Sequence, residues 1–343
     1  MIQTLFIEKD IQNHSHVLKV QSDFPQARNI YIENYGEVFN RKGQSFRLQK
    51  KQPGLILAKK YGRCVLPSPE GFGIGGKNNY YFSHILNCLY DCRYCFLQGM
   101  FRSAHYVHFV NDEDFKSEIL TTVEKHSSEE VYFFSGYDGD SLALDSLTGF
   151  VSTYLPFFRK CPKAIIELRT KSNRIGPLLT IDPMPNCVIA FTFTPDSVSQ
   201  AVEHKTPRIS QRIQAMKKLA NRGWKVGIRL DPLIFIPNFE EQYQQLFSEL
   251  FYSLPIDRVH SVSLGPLRMP KKILQNMRKL YPKEPLLFEN LEESKGIISY
   301  PSCKEKYLFK ELAKILPQKY ENDTINMYQP YSEVSKPYSC IAI

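Results

Sequence analysis

The sequence predicts an α/β fold: a partial (β/α)6 TIM-like barrel with an extension at either end. Three observations predict it. From residue 79 onward, short apolar runs of strand character alternate with longer runs of helical period, the pattern of parallel βαβ units. Six such units fit a partial barrel better than a closed eight-stranded one. A tight cysteine loop follows the first strand, at the strand end where a parallel barrel carries its functional groups.

Taken in order, residues 1–75 read as an N-terminal extension. Short strands are expected at Thr4–Ile7, Asn29–Glu33 and Leu55–Ala58, separated by polar, turn-rich stretches. Arg41, Lys42, Arg47, Lys50 and Lys51, interleaved with Phe46, read either as a phosphate-facing stretch or as a solvated loop. The Pro/Gly-rich run Pro67–Gly76 lacks a strand-to-helix context and is not a phosphate loop. The barrel is assigned to residues 76–270, with strands at Tyr80–Ile85, Val131–Ser135, Ala164–Arg169, Val188–Thr194, Lys225–Leu230 and Val259–Leu264. Helices are expected at Asp112–Lys125, Ser141–Phe157, Arg174–Leu179, Pro207–Arg222 and Phe239–Leu254. In the fourth of these, Ile209, Ile213, Met216, Leu219 and Ala220 share one face, and Asn221-Arg222-Gly223 is its stop signal. Residues 271–343 form a C-terminal extension, with a basic helix at Lys271–Leu280 and a basic, aromatic stretch at Tyr300–Leu316. There Lys304, Lys306 and Tyr307 would hold a nucleic-acid backbone and stack on a splayed base, or else the stretch simply docks onto the barrel. Residues Gln318–Ile343 are expected to be poorly ordered.

Composition narrows the partners. The 343 residues are enough for one large domain or one and a half, and no window approaches the ~18 apolar residues of a membrane span. The N-terminus lacks a secretory pattern, so a cytoplasmic location with reduced thiols is expected. Lys and Arg outnumber Asp and Glu by 44 to 35, a net charge of +9, which suits a polyanion such as nucleic acid.

The chemistry centres on Cys88-Leu-Tyr-Asp-Cys92-Arg-Tyr-Cys95. Three thiolates at C-x3-C-x2-C spacing would hold three irons of a [4Fe–4S] cluster and leave the fourth open to a small molecule. Zinc is the alternative, with His84 or His105 completing a tetrahedron, although no second C-x2-C pairs with the triplet. Other candidates lie at later strand ends. Ser135 and Gly136, with the acceptors of Tyr137-Asp138-Gly139-Asp140, suit an ammonium group. Lys171 suits a carboxylate, and Thr192, Thr194, Arg229 and Asp231 suit ribose or substrate, or else fill interior barrel layers.

Together these residues resemble the spore photoproduct lyase family of radical S-adenosylmethionine enzymes, over roughly residues 50–315. The likeness rests on the three cysteines with the following Phe96-Leu-Gln, on Thr170-Lys171, and on Phe191-Thr-Phe-Thr194-Pro-Asp196. It continues through Glu203, Thr206-Pro207, Arg212-Ile213 and Ala220-Asn-Arg-Gly223-Trp224. The resemblance implies a [4Fe–4S] cluster and S-adenosyl-L-methionine as cofactors, with Lys171 and Thr192 holding the carboxylate of the latter. It implies repair of a methylene-bridged thymine dimer in damaged DNA by a 5′-deoxyadenosyl radical, with a reductant such as flavodoxin or ferredoxin. Two departures stand out. Tyr137 occupies the position of the hydrogen-donating cysteine of the lyases, and Phe96 replaces a tyrosine thought to relay that hydrogen. Tyr137, Tyr94 or Cys303 would then fill the donor role, or the substrate is another one: RNA, a peptide or a metabolite. A non-enzymatic zinc-binding nucleic-acid module is the remaining alternative.

Overall fold

A computed structural model describes residues 2–69, 72–126 and 129–315. Six strands lie parallel and side by side in chain order: Asn78–Phe82, Val131–Phe134, Ala164–Thr170, Cys187–Thr192, Lys225–Leu233 and Val259–Pro266. Val65–Pro67 adds an antiparallel edge to the first. All seven residues of Ala164–Thr170 and all six of Cys187–Thr192 are buried. Helices cover one face of these strands and the lumen takes the other, which is why both read as continuous rather than alternating runs.

Helix Ile209–Arg222 buries Ile209, Ile213, Met216, Leu219 and Ala220, the face its period predicts. It stops at Gly223, whose φ of 109° is costly for any residue with a Cβ. The helix expected over Ser141–Phe157 is instead two, Asp145–Thr148 and Phe150–Arg159. Gly149, at φ 63°, turns the chain between them, and Asp145 Oδ1 accepts the Val151 N–H at 2.8 Å.

A second sheet changes how the cysteine loop is held. Thr4–Glu8, Arg28–Ile32 and Leu55–Ala58 lie parallel, and Tyr106–Phe109 and Ile85–Leu86 extend the same sheet. The strand expected over Tyr80–Ile85 is therefore split. Asn78–Phe82 stays with the barrel; the chain bends at Ser83 and His84, and Ile85–Leu86 joins the N-terminal sheet. Ser83 donates its hydroxyl to Asp138, and the His84 carbonyl accepts the Phe109 N–H at 3.0 Å, so each side of the bend is anchored to a different sheet. The cysteine loop follows directly, strung between barrel and N-terminal sheet.

The N-terminal sheet has its own core of Leu5, Ile7, Val17, Val20, Leu55, Leu57 and Tyr106. Within the barrel, Phe72 and Ile74 from the Pro/Gly-rich loop pack on Phe134 and Val188. Gly76 lets that loop pass, since a Cβ there would sit 2.0 Å from the Tyr132 ring. Helices Lys271–Leu280 and Ser302–Ile315 and a small antiparallel sheet of Arg268–Pro270, Glu292–Ser294 and Ile297–Ser299 complete the described residues. No helix among these residues is long and apolar enough to cross a membrane. The segment Gln318–Ile343, expected to be poorly ordered, lies outside the described residues.

Candidate active site

The cysteine loop is fixed by backbone pairing. Asp91–Cys92 forms a two-residue antiparallel ladder with Glu203–His204, and the Arg93 N–H reaches the Val202 carbonyl at 2.8 Å. Cys92 and Cys95 are buried, and Cys88 is partly so. Burial pushes each of the three thiols up to about 12, with the neighbouring thiols adding to it. The three thiols thus lie near enough to feel one another's charge. Metal binding takes the thiolate, so loading the site would release protons. Among the described residues, no three Cys, His, Asp or Glu side chains converge as ligands of one ion. Thiols that each hold a different iron of a cluster need no such convergence. Of the two histidines considered for zinc, His105 Nδ1 accepts the Gly54 N–H at 2.8 Å, while His84 stacks on Phe150 at 4.2 Å with its Nδ1 buried and without a hydrogen-bond partner among the described residues.

Beside the loop lies a buried ionic group. Glu203 accepts from the Tyr94 hydroxyl, from Arg212 and, at 3.0 Å, from the Ser199 hydroxyl. Burial alone would raise the Glu203 carboxyl, but Arg212 and Lys171, with the Tyr94 hydroxyl, outweigh it and hold the group below the usual carboxylate range. Burial, reinforced by Glu203, pushes the Tyr94 phenol well above its ordinary value. Tyr94 is thus a protonated phenol held in one orientation.

Lys171 is placed by Asp140. Oδ2 of Asp140 accepts the Lys171 N–H at 2.7 Å, while Oδ1 accepts from Thr170 Oγ1 at 2.7 Å, Leu142 N at 3.0 Å and Ala143 N at 2.8 Å. The Lys171 ammonium lies 5.5 Å over the Tyr94 ring. Its Nζ is buried without a hydrogen-bond partner among the described residues, and so are Thr192 Oγ1 and Thr194 Oγ1. Buried polar groups normally find partners, so these three unpartnered groups at adjoining strand ends leave room for a ligand, water or ion to complete the set. An ammonium with two hydroxyls suits a small ligand bearing a carboxylate.

Ser135 and Gly136 sit in the same region with their atoms already used. Ser135 Oγ contacts Ser141 Oγ at 2.8 Å and donates to the Glu167 carbonyl at 3.1 Å; a Cβ on Gly136 would lie 2.9 Å from the Arg169 carbonyl. They contribute close packing and backbone groups rather than a free hydroxyl. Tyr137 stands in an aromatic cluster. It stacks on Tyr81 at 4.2 Å and 27°, with Phe72 at 5.8 Å and Phe96 at 5.9 Å. Burial pushes its phenol up as well. The barrel interior holds a second buried ionic group, Glu167 between Arg169 and Arg229, each at 2.7 Å. There too burial opposes ionisation, and the two guanidiniums outweigh it, lowering Glu167 to about 2.

Lys304 and Tyr307 line a cleft of roughly 590 Å³ beyond the end of strand Lys225–Leu233, with Phe235, Phe239, Glu240 and Glu289. The Lys304 ammonium lies 4.0 Å from the centre of the Phe235 ring and 3.2 Å from Glu289, and Tyr307 bonds Glu240. Lys306 is exposed. These residues are not brought to the cysteine loop. Cys303 is exposed at the start of the same helix. Sequence reasoning singled out neither Asp140 as the organiser of the strand ends nor the Glu203–Arg212 pair as one unit. Asp140 lay inside a quoted string, and Glu203 and Arg212 lay nine residues apart with nothing to show that both are buried.

A family model described as spore photoproduct lyase matches residues 77–336. Among curated proteins, the spore photoproduct lyase of Bacillus subtilis (strain 168) is 27% identical over 215 residues, 61% of each chain. That of Geobacillus sp. (strain Y412MC61) is 27% identical over 218 residues, again 61% of each. The chain thus spans about three fifths of the length of these curated relatives. Among solved structures, a spore photoproduct lyase mutant with bound AdoMet and dinucleoside spore photoproduct superposes with a TM-score of 0.80 at 17% identity, covering 92% of this chain and 95% of the other. A spore photoproduct lyase complexed with dinucleoside spore photoproduct gives 0.79 over the same shares. At such identities these superpositions establish the fold, an α/β partial barrel.

Proposed function

The chain belongs to the spore photoproduct lyase family, and we propose from that premise that it is a radical S-adenosylmethionine enzyme, a carbon–carbon lyase acting on thymine photolesions in DNA. The observation that carries this reading is a buried ammonium without a hydrogen-bond partner, Lys171, whose charge reaches the Cys92 and Cys95 thiols, with the unpartnered hydroxyls of Thr192 and Thr194 at the end of the neighbouring strand. Cys88, Cys92 and Cys95 would hold three irons of a [4Fe–4S] cluster. Lys171, with Thr192 and Thr194, would hold the carboxylate end of S-adenosylmethionine, and the backbone around Ser135 and Gly136 would face its ammonium. When bound, cluster and cofactor together supply a 5′-deoxyadenosyl radical, which takes a hydrogen atom from the substrate.

The chain's own residues position and protect. Glu203 and Arg212 fix the Tyr94 phenol against the cysteine loop. Asp140 fixes Lys171 through its backbone. Phe72, Tyr81 and Phe96 surround Tyr137 and keep water from the hydrogen-transfer region. Tyr137 and Tyr94 are the hydrogen-donor candidates of this chain. A duplex base would be extruded to reach the site, at a cost of roughly a few kcal/mol that a lesion lowers. The net charge of +9 suits phosphate contacts, with Lys304, Lys306 and Tyr307 as contributors, so binding to DNA is expected to weaken with salt. A cytoplasmic reductant such as flavodoxin or ferredoxin would supply the electron.

The aromatic setting of Tyr137 favours one second reading, the same radical chemistry on a different substrate. One experiment separates the two. Anaerobically reconstituted protein is given dithionite, S-adenosylmethionine and DNA containing the methylene-bridged dimer, and mass spectrometry follows thymine and 5′-deoxyadenosine. Restored thymine supports the lyase. Deoxyadenosine without thymine supports the second reading, and neither product sinks both.

A further inference from the structure

Between residues 41 and 51 the chain carries five cations and no carboxylate. Four of the five are exposed; Lys50 is buried, with 7% of its surface accessible. It sits near the end of helix Phe46–Lys51, in the region that precedes the barrel. Its ammonium donates to the carbonyl oxygens of Cys88 at 2.7 Å and Tyr90 at 2.9 Å, both within the cysteine loop. It also lies close enough to the Cys88 and Cys95 thiols and to Asp91 to interact with them electrostatically. From the other side, Lys205 donates to the Lys50 carbonyl at 3.2 Å, one residue beyond the strand paired with Asp91–Cys92. Lys50 is thus built into the loop from both directions.

A buried ammonium is costly unless negative charge compensates it, and its two hydrogen bonds here go to neutral carbonyls. The nearby Asp91 carboxylate is already paired with Arg93 at 2.7 Å, and further negative charge is what three cysteinates around an iron–sulfur core would bring. Each added electron makes such a centre more negative, so a nearby cation favours the reduced state over the oxidised one. Net charge and hydrogen bonding are among the levers that set cluster potentials. Resting on the iron–sulfur reading above, we propose that Lys50 is a positioning residue of the redox centre. It fixes the cysteine loop through the Cys88 and Tyr90 carbonyls, and its charge raises the reduction potential of the cluster. The N-terminal segment is then part of the electron-accepting site.

The test uses the full chain, reconstituted anaerobically, in four forms: unaltered, Lys50→Gln, Lys50→Arg and Lys51→Gln, the last removing an exposed neighbouring charge. Thermal melting of the unloaded proteins checks folding, iron analysis checks loading, and a redox titration followed by electron paramagnetic resonance reads the potential without substrate. Lys50→Gln keeps a hydrogen-bond donor and loses the charge. Its cluster is expected to be about tenfold harder to reduce, a shift of about 59 mV to more negative potential for one electron. Lys50→Arg is expected to restore most of the shift, and Lys51→Gln to show none. Loss of iron in Lys50→Gln with retention in Lys50→Arg supports the same assignment. An unchanged potential in Lys50→Gln overturns it, and so does an equal disturbance in both Lys50 variants, which would make the role one of packing alone. If the unaltered protein takes up no iron–sulfur cluster, it is the underlying functional reading that fails.

Discussion

Two walls of the barrel mouth are built on opposite terms. The wall made by the third and fourth strands carries Lys171, Thr192 and Thr194, buried groups whose polar atoms no described residue satisfies. The wall made by the first two strands and the Pro/Gly-rich loop carries Tyr81, Tyr137 and Phe72, with Phe96 of the cysteine loop, and these satisfy one another. An unsatisfied buried polar group costs about 1–3 kcal/mol, which a fitting ligand recovers. An aromatic pair is worth about 0.5–1.5 kcal/mol beyond its burial and asks nothing of a ligand. On the function proposed above, affinity is stored on the polar wall, and the aromatic wall decides which shapes and which hydrogen donors meet the ligand. The resemblance to the family runs closely along the first wall and breaks on the second.

The largest expected effect tests what holds the polar wall in place. Arg212→Met leaves Glu203 buried without its main cation, and breaking a buried pair this way costs about 3–5 kcal/mol. Chemical denaturation is expected to show a loss of that size, and the Cys92 loop, paired with Glu203, is expected to load less iron. A variant that melts and loads normally would mean that the pair does not support this wall.

Lys171→Met is next, and its two effects differ in size. Removing a charge-assisted hydrogen bond of about 1.5–3 kcal/mol is expected to weaken S-adenosylmethionine binding by about 10- to 150-fold, measured by calorimetry on the reconstituted protein. The unloaded protein is expected to lose little stability, because the deleted ammonium had no hydrogen-bond partner, only its charge near Glu203 and its place over the Tyr94 ring. A destabilised protein with unchanged affinity would reverse the comparison between the walls.

Acid provides a third and smaller probe, one that separates the barrel from the N-terminal sheet. Burial lowers His84 to about 3 from an ordinary value of 6.5, and burial with its neighbour His16 lowers His108 well below 6.5. Between pH 6.5 and 3 the unfolded chain binds more protons than the folded one, so stability falls as pH falls through that window. Glu167, lowered to about 2 by Arg169 and Arg229 against its burial, contributes stability that is lost only from about pH 4.5 down to 2. The bend and strand that carry His84 and His108 are expected to loosen first. His84→Phe is expected to flatten the slope above pH 5 by at most about 1.4 kcal/mol per pH unit, the value for one proton. An unchanged slope in hydrogen exchange of the strand Tyr106–Phe109 would place the early loss elsewhere.

The same contrast explains how far the sequence could be read. The six barrel strands and the helix Ile209–Arg222 were legible because periodicity and stop signals are local, and Lys271–Leu280 has the expected bounds. The cysteines were legible because their spacing is itself a local pattern. Lys50 was not, since burial of one lysine in a basic stretch depends on a loop 38 residues away along the chain. The split of the first strand was hidden for a similar reason: the partner that draws off Ile85–Leu86 is Tyr106–Phe109, beyond the cysteine loop. Glu203, Arg212 and Tyr94 were each singled out in the sequence, but nothing there showed that the three segments join in one buried group. What escaped the sequence is non-local pairing of charged or polar groups.

Tyr137→Phe is the smallest change in free energy and the sharpest test of the aromatic wall. The ring stays stacked on Tyr81, and among the described residues its hydroxyl makes no recorded hydrogen bond, so stability is expected to change by less than about 1 kcal/mol. S-Adenosylmethionine affinity is expected to stay as it is, because Lys171, Thr192 and Thr194 belong to the other wall. Only the fate of the hydrogen atom should move. If the Tyr137 phenol returns hydrogen to the substrate radical, the variant is expected to form 5′-deoxyadenosine while restored thymine falls and side products rise. Deuterium supplied from heavy water through that exchangeable hydroxyl should vanish from whatever thymine remains. Unchanged yield and unchanged deuterium would pass the donor role to Tyr94, whose phenol Glu203 holds beside the cysteines, and would leave Tyr137 as a shaping residue.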